Sequence, residues 1–219
     1  RILFHEFGHG LHGLLSQVRY ESQSGTNVKQ DFVELPSQIM EHWATEPSVL
    51  RNYARHVDTG ETIPDVLIDK LLAADTFNQG FATTEYLAAS YLDMAWSGLE
   101  APTMLGVDEF EAKAMAAINL IDVVGPRYNS GYFQHIFAED NYSAGYYAYI
   151  WAEVLDADGF EAFKENGIFD PATALSFRQN VLERGGTAEA MGLYQAFRGR
   201  APAVEPLLRK RGLLTTSST

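Results

Sequence analysis

His5-Glu6-Phe7-Gly8-His9 is the stretch that decides how this chain is read. Histidines four residues apart lie on one face of a helix, so both imidazoles can close on a single metal ion. Neutral imidazole binds Zn²⁺ well, and a catalytic zinc takes three protein ligands plus a water, so the pair calls for a third ligand. Water in that position loses its proton near neutral pH, and the intervening Glu6 suits a general base. Working outward, Ile2, Leu3, Phe4, Phe7, Leu11, Leu14 and Leu15 recur at helical spacing and predict a buried helix with His5, His9 and His12 set along it. Gly8 and Gly10 cost helix propensity, which predicts close approach by a second backbone or a substrate. The bare pentapeptide also fits a helix crossing whose histidines are hydrogen-bonded core residues.

The candidate third ligand is Glu34, in Asp31-Phe32-Val33-Glu34-Leu35-Pro36-Ser37-Gln38-Ile39-Met40-Glu41-His42-Trp43. Phe32, Val33, Leu35, Ile39, Met40 and Trp43 mark the segment as largely buried, so a charge at Glu34 has to be paired, protonated or metal-bound. A second reading stands beside it: Pro36 suits a first helical turn and acids favour that end, which makes Glu34 a helix-start carboxylate. Local sequence does not separate the two. Glu41, further along, can orient a ligand histidine through the ring nitrogen that faces away from the metal.

His5-Glu6-Phe7-Gly8-His9-Gly10-Leu11-His12 followed by Phe32-Val33-Glu34-Leu35-Pro36-Ser37-Gln38 resembles the thimet oligopeptidase family of zinc peptidases, most closely its peptidyl-dipeptidase (dipeptidyl carboxypeptidase) branch. The resemblance runs down the whole chain. Arg127-Tyr128 through Tyr132-Phe133-Gln134-His135-Ile136-Phe137, then Tyr142-Ser143-Ala144-Gly145-Tyr146-Tyr147-Ala148-Tyr149-Ile150-Trp151, is similar to that family's substrate-binding loop and the helix after it. Two separated blocks in the right order make the signal specific.

The resemblance implies one zinc ion on His5, His9 and Glu34, with Glu6 activating the water. It also implies that His135, Tyr142 and Tyr149 contact substrate or stabilise the transition state, with Tyr146 a further candidate. Short peptides are the implied substrates, cut to release C-terminal dipeptides; Arg127 is the candidate for capturing their carboxylate, or else one half of a structural ion pair. Internal cleavage by an oligoendopeptidase and an inert zinc-binding domain are the alternatives. One departure is visible: where the family loop is glycine-rich, this chain has Ala138-Glu139-Asp140-Asn141, stiffer and carrying two negative charges. Family members resemble chains several times longer, so the resemblance implies a C-terminal catalytic portion whose partner is the upstream part of the same polypeptide.

Without the resemblance, Tyr142, Tyr146 and Tyr149, four and three residues apart, read equally as an aromatic core stripe on a helix. Elsewhere the chain is helix after helix. The pattern predicts helices from 46 to about 56, 63 to about 77, 83–96, 108–121 and 144–160, with shorter ones starting at Pro171, Thr187 and Pro202. Only 17–29 differs, where Val18, Tyr20 and Val28 flank a polar turn that predicts a small hairpin or a mobile loop. The expected fold is therefore mainly α: one multi-helix, zincin-like catalytic domain over 1–219, with at most a small hairpin near 17–30 and a loose tail over 215–219.

Composition agrees with an ordered domain. The 219 residues are 46% hydrophobic, enough to bury a substantial core. A net charge of −13 argues against nucleic-acid and anionic-membrane partners and suits solubility or cationic peptides. The chain has no cysteine, which excludes disulfides and a thiolate mechanism. No run approaches the roughly 18 apolar residues of a spanning helix. Localisation is left open between cytoplasm and periplasm.

Overall fold

The computed structural model describes residues 1–138 and 142–214. Its helices are α1 (Ile2–Leu14), α2 (Leu35–Thr45), α3 (Pro47–Tyr53), α4 (Asp65–Ala74), α5 (Gln79–Ser97), α6 (Val107–Ala117), α7 (Gln134–Phe137), α8 (Ala148–Asn166), α9 (Pro171–Phe177), α10 (Ala190–Arg198) and α11 (Glu205–Lys210). The fold is mainly α, as expected. Among the described residues the one β-type pairing outside helices and turns is an isolated antiparallel bridge between Arg55 and Thr62. Residues 139–141 of the acidic loop and the tail 215–219 lie outside the described residues.

Two compact units emerge, one made of Arg1–Phe77 with Ile150–Thr219 and the other of Asn78–Tyr149. In the first, one face of α2 (Leu35, Ile39) and the middle of α8 (Leu155, Phe160, Phe163) share a core with Val181, Leu182, Tyr194 and Phe197. Fully burying an aliphatic or aromatic side chain of this size stabilises by about 1.5–3 kcal/mol. Trp43 joins two rings edge-on, at 4.8 Å from both Phe160 and Phe163, and its indole N–H donates to the Ile168 carbonyl at 3.0 Å. Asp158 is fully buried in α8 and satisfied there: the Tyr194 hydroxyl donates to it at 2.6 Å and Arg200 pairs with it at 2.5 Å. An acid so placed costs several kcal/mol when a partner is removed.

The buried-helix expectation for α1 needs correction. Only Gly8 and His12 are buried, whereas Ile2, Leu3, Phe7 and Leu14 are 79%, 78%, 56% and 77% exposed. Helical periodicity marks which residues share a face without saying which face is covered, and here α2 covers the Gly8 side. A side chain at Gly8 would place its Cβ 2.5 Å from both the Pro36 oxygen and the Ser37 Cα, so the glycine is required by the approach of the α2 backbone. Gly10 has nothing closer than the Phe7 ring at 4.0 Å. The glycine that the crossing needs is Gly8 alone.

Nor is there a hairpin between 17 and 30 among the described residues. The stretch holds a 3₁₀ turn (Glu21–Gln23), and its backbone pairs with the segment after α9 rather than with itself: Gln17 N–H donates to Glu183 O at 3.0 Å and Gly186 N–H to Gln23 O at 2.8 Å. Gly185, at φ +46°, lies so near Gln23 that a Cβ would stand 2.0 Å from its carbonyl oxygen. A turn bonded to another segment has no call for a partner strand of its own.

The second unit is built on α5, α6 and the aromatic segment that follows. Leu92, Phe110, Phe133, Ile136 and Tyr146 form its core, with Trp96 packed on Phe110 at 3.8 Å between ring centroids. The helix expected over 144–160 begins at Ala148 instead. Residues 143–147 are turns, and Ala144 has a left-handed φ of 54°. The tyrosine stripe is thus not a helical one, because the buried Asp93 carboxylate accepts the Ala144 and Tyr146 N–H groups that a helix would have turned inward.

Candidate metal centre and aromatic cluster

His5 and His9 face the start of α2, where Glu34 sits at the N-cap position, 4% exposed. Its Oε2 lies 3.4 Å from His5 Nε2 and 3.3 Å from His9 Nε2. One ligand atom from each of the three residues lies within 4.8 Å of the others, the one such grouping of three or more ligand-type residues among those described. Both local readings of Glu34 therefore hold at once. It stands at the helix start and its carboxylate turns to the histidines. The Ser37 hydroxyl donates to Glu34 Oε2 at 3.0 Å and to its carbonyl oxygen at 2.8 Å, which fixes the rotamer.

Glu41 lies about two turns further along the same face of α2 and accepts from His5 Nδ1 at 2.7 Å. That bond engages Nδ1 and leaves Nε2 on the side that faces Glu34 and His9, the arrangement by which an outer carboxylate orients a metal-ligating imidazole. Glu34 first and Glu41 second raise the His5 imidazole to about 10, against the opposing effect of burial. With protons as the only cations, the site takes one up. Two imidazole nitrogens and a carboxylate oxygen are also the donor set of a catalytic zinc, and a dication answers the same negative field, so the residues present fit the metal. Glu6 is exposed on the same helix, between the two histidines in sequence.

His12 is different. It is fully buried, both ring nitrogens lack a hydrogen-bond partner, and burial, with a smaller contribution from His9, lowers its imidazole to about 4. It is a neutral packing residue.

On the second unit, the other sequence candidates form one cluster of rings. Tyr142 and Tyr149 stack at 5.1 Å with 10° between their planes, and His135 lies 5.9 Å from Tyr142, 5.3 Å from Tyr146 and 6.2 Å from Tyr149. Desolvation first and Arg127 second lower the His135 imidazole, so it is neutral near pH 7 with one N–H to donate. Tyr146 is only 3% exposed, stacked on Tyr86 at 5.1 Å, and burial pushes its phenol well above the ordinary range. It belongs to the floor of the cluster. The Arg127 guanidinium is exposed 5.8 Å over the Tyr128 ring, and its charge is favoured by a hydrogen bond to Tyr128 first and by the Glu85 carboxylate at longer range.

Two residues that hold these groups escaped the sequence reading: Ser37, which bonds Glu34, and Asp93, which bonds the Ala144 and Tyr146 amides. A serine three residues after an acid is too common to signal anything. Asp93 did leave a trace, an acid set among Ala88, Ala89 and Leu92 in a stretch that reads as a core-facing helix, and such an acid needs partners.

Comparison with known proteins places the chain in a family. The model of Peptidase family M3 matches residues 1–213. Dipeptidyl carboxypeptidase of Escherichia coli (strain K12) is 48% identical over 213 residues, covering 96% of this chain and 31% of the relative. Oligopeptidase A of the same organism is 40% identical over 215 residues, again 96% of this chain and 31% of the relative. A probable cytosolic oligopeptidase A of Arabidopsis thaliana is 39% identical over 226 residues, 99% of this chain and 32% of its own length. The chain thus spans about a third of the length of the curated relatives it matches. With a family model covering nearly all of its length, the chain belongs to Peptidase family M3.

Proposed function

We propose that this protein hydrolyses peptide bonds with one zinc ion held by His5, His9 and Glu34, acting on short peptides from their free C-terminus and releasing dipeptides. The observation that carries the reading is the convergence of His5 Nε2, His9 Nε2 and Glu34 Oε2, with Glu41 on the far nitrogen of His5. Zinc, when bound, supplies Lewis acidity at the scissile carbonyl and lowers the pKa of a water. Glu6, exposed on α1 between the two histidines in sequence, would hold the proton of an attacking water on a carboxylate oxygen and return it to the leaving amine. Ser37 holds Glu34, and Glu41 holds His5, so neither ligand reorganises as charge develops. The parts of Tyr149, His135 and Tyr142 as donors to the developing oxyanion rest on the family resemblance. A phenol or a neutral imidazole N–H is chemically suited to it.

Release of dipeptides is favoured over internal cleavage by the higher identity to the dipeptidyl carboxypeptidase, and Arg127 offers an exposed guanidinium. A charge-assisted hydrogen bond is worth about 1.5–3 kcal/mol. Amidating the C-terminus of a peptide substrate of the zinc-loaded, full-length protein should then lower kcat/KM roughly 10–100-fold. Mass analysis of products should show dipeptides leaving the free C-terminus one after another. Equal cleavage of free and amidated peptides at internal bonds would establish the oligoendopeptidase alternative.

A further inference from the structure

The segment that carries His135, Tyr142 and Tyr146 is seated on a carboxylate at both ends. At its start, Glu111 of α6 accepts the Ser130 N–H at 2.8 Å, the Ser130 hydroxyl at 2.9 Å and the Asn129 amide at 3.0 Å. At its end, Asp93 of α5 accepts the Ala144 N–H on Oδ1 at 2.8 Å and the Tyr146 N–H on Oδ2 at 2.9 Å. Ser97, one turn on, donates its hydroxyl to Asp93 Oδ1 at 3.1 Å and itself accepts the Ala144 N–H at 3.0 Å. Asp93 is fully buried. The Tyr86 hydroxyl adds a bond to the Tyr146 carbonyl at 2.5 Å.

We propose that Asp93 is a positioning residue for the aromatic cluster: its carboxylate imposes the turn at 144–146 and thereby sets Tyr142 against Tyr149 and His135. This rests on the reading that these side chains meet the substrate. Ala144 sits in the left-handed region, which costs a residue with a Cβ about 1–2 kcal/mol, so something must hold it there. Two amide donors on opposite oxygens do so, and only an ionised carboxylate accepts on both. The stack of Tyr142 on Tyr149 spans the turn, one ring before it and one on the first residues of α8, so a shift of the turn slides one ring off the other. Glu111 secures the His135 side in the same manner.

Asp93→Asn keeps the shape but turns an NH₂ group toward one of the two backbone N–H donors. In the zinc-loaded, full-length protein this variant should lose about 10²-fold in kcat, the penalty for misplacing a reacting-centre group by about 1 Å, with KM and zinc content little changed. Amide exchange at Ala144 and Tyr146 should become faster. Combined with Tyr149→Phe, it should lower kcat hardly further than the single change, since both remove the same contribution. Ser97→Ala, a milder change on the surface, should give a smaller loss of the same kind and keeps the test open if Asp93→Asn fails to fold. Unchanged exchange at the two amides, or losses that multiply in the double variant, would overturn the proposal. Faster exchange with full kcat in both Asp93→Asn and Tyr149→Phe would also overturn it, and would show that the reading of the tyrosines as substrate groups had failed while the clamp itself stood.

Discussion

Glu6→Gln in the full-length protein is expected to lower kcat by about 10²–10⁴-fold while zinc content stays at one ion per chain, because a neutral amide keeps the shape of the side chain and cannot accept the water's proton. The two halves of this outcome have separate causes. Glu6 is exposed on α1 and is not among the three converging ligands, so its replacement leaves the core, the Gly8 crossing and the His5–Glu41 bond in place. The loss then belongs to proton transfer and appears in kcat and kcat/KM alike. Parallel measurement of turnover on a short peptide and of bound metal separates the causes. Near-normal turnover with stoichiometric zinc would show that another group is the base.

The second large effect is on stability in acid. His12 has a folded-state pKa of about 4 against an ordinary 6.5, so between those values the unfolded chain binds a proton that the folded chain refuses. Because the folded pKa is the lower of the two, stability is full above about pH 6.5 and is lost as pH falls toward 4. Linkage puts the loss at roughly 2 kcal/mol by pH 5 and about 3 kcal/mol at the end of the window. His12→Leu removes this titration and places an apolar group where no hydrogen bond exists to lose. Urea unfolding at pH 7.5 and pH 5 should therefore show the wild type falling more steeply than His12→Leu by roughly 2 kcal/mol, with the carboxylates common to both cancelling. Parallel pH dependence in the two proteins would mean that His12 is not held neutral by burial.

What could be read from sequence depended on how local its cause was. The pairing of His5 with His9 was legible because a four-residue spacing on a helix fixes a face by itself. The two readings of Glu34 were not separable, since the carboxylate's direction depends on how closely α2 approaches α1, and that approach is set by Gly8 and two α2 backbone atoms far away in sequence. Apolar spacing marked Ile2, Leu3, Phe7 and Leu14 correctly as one family of positions but was silent on whether anything covers them. The start of α8 was misplaced by four residues for a tertiary reason: Asp93, some fifty residues earlier, takes the amides that would have begun the helix. Over 17–30 the sequence left a small hairpin and a loop both open, and the structure has a loop whose hydrogen bonds go to the Glu183–Gly186 segment.

The central claim is that His5, His9 and Glu34 form one zinc site, and the most direct test is the metal content and X-ray absorption spectrum of the purified protein. One zinc per chain is predicted, with only nitrogen and oxygen ligands at about 2.0–2.2 Å and an imidazole signature from two histidines. Glu34→Ala, with one of three protein ligands gone, should yield protein with little or no zinc after dialysis. Full zinc occupancy in Glu34→Ala, or a wild-type spectrum without two imidazoles, would contradict the claim.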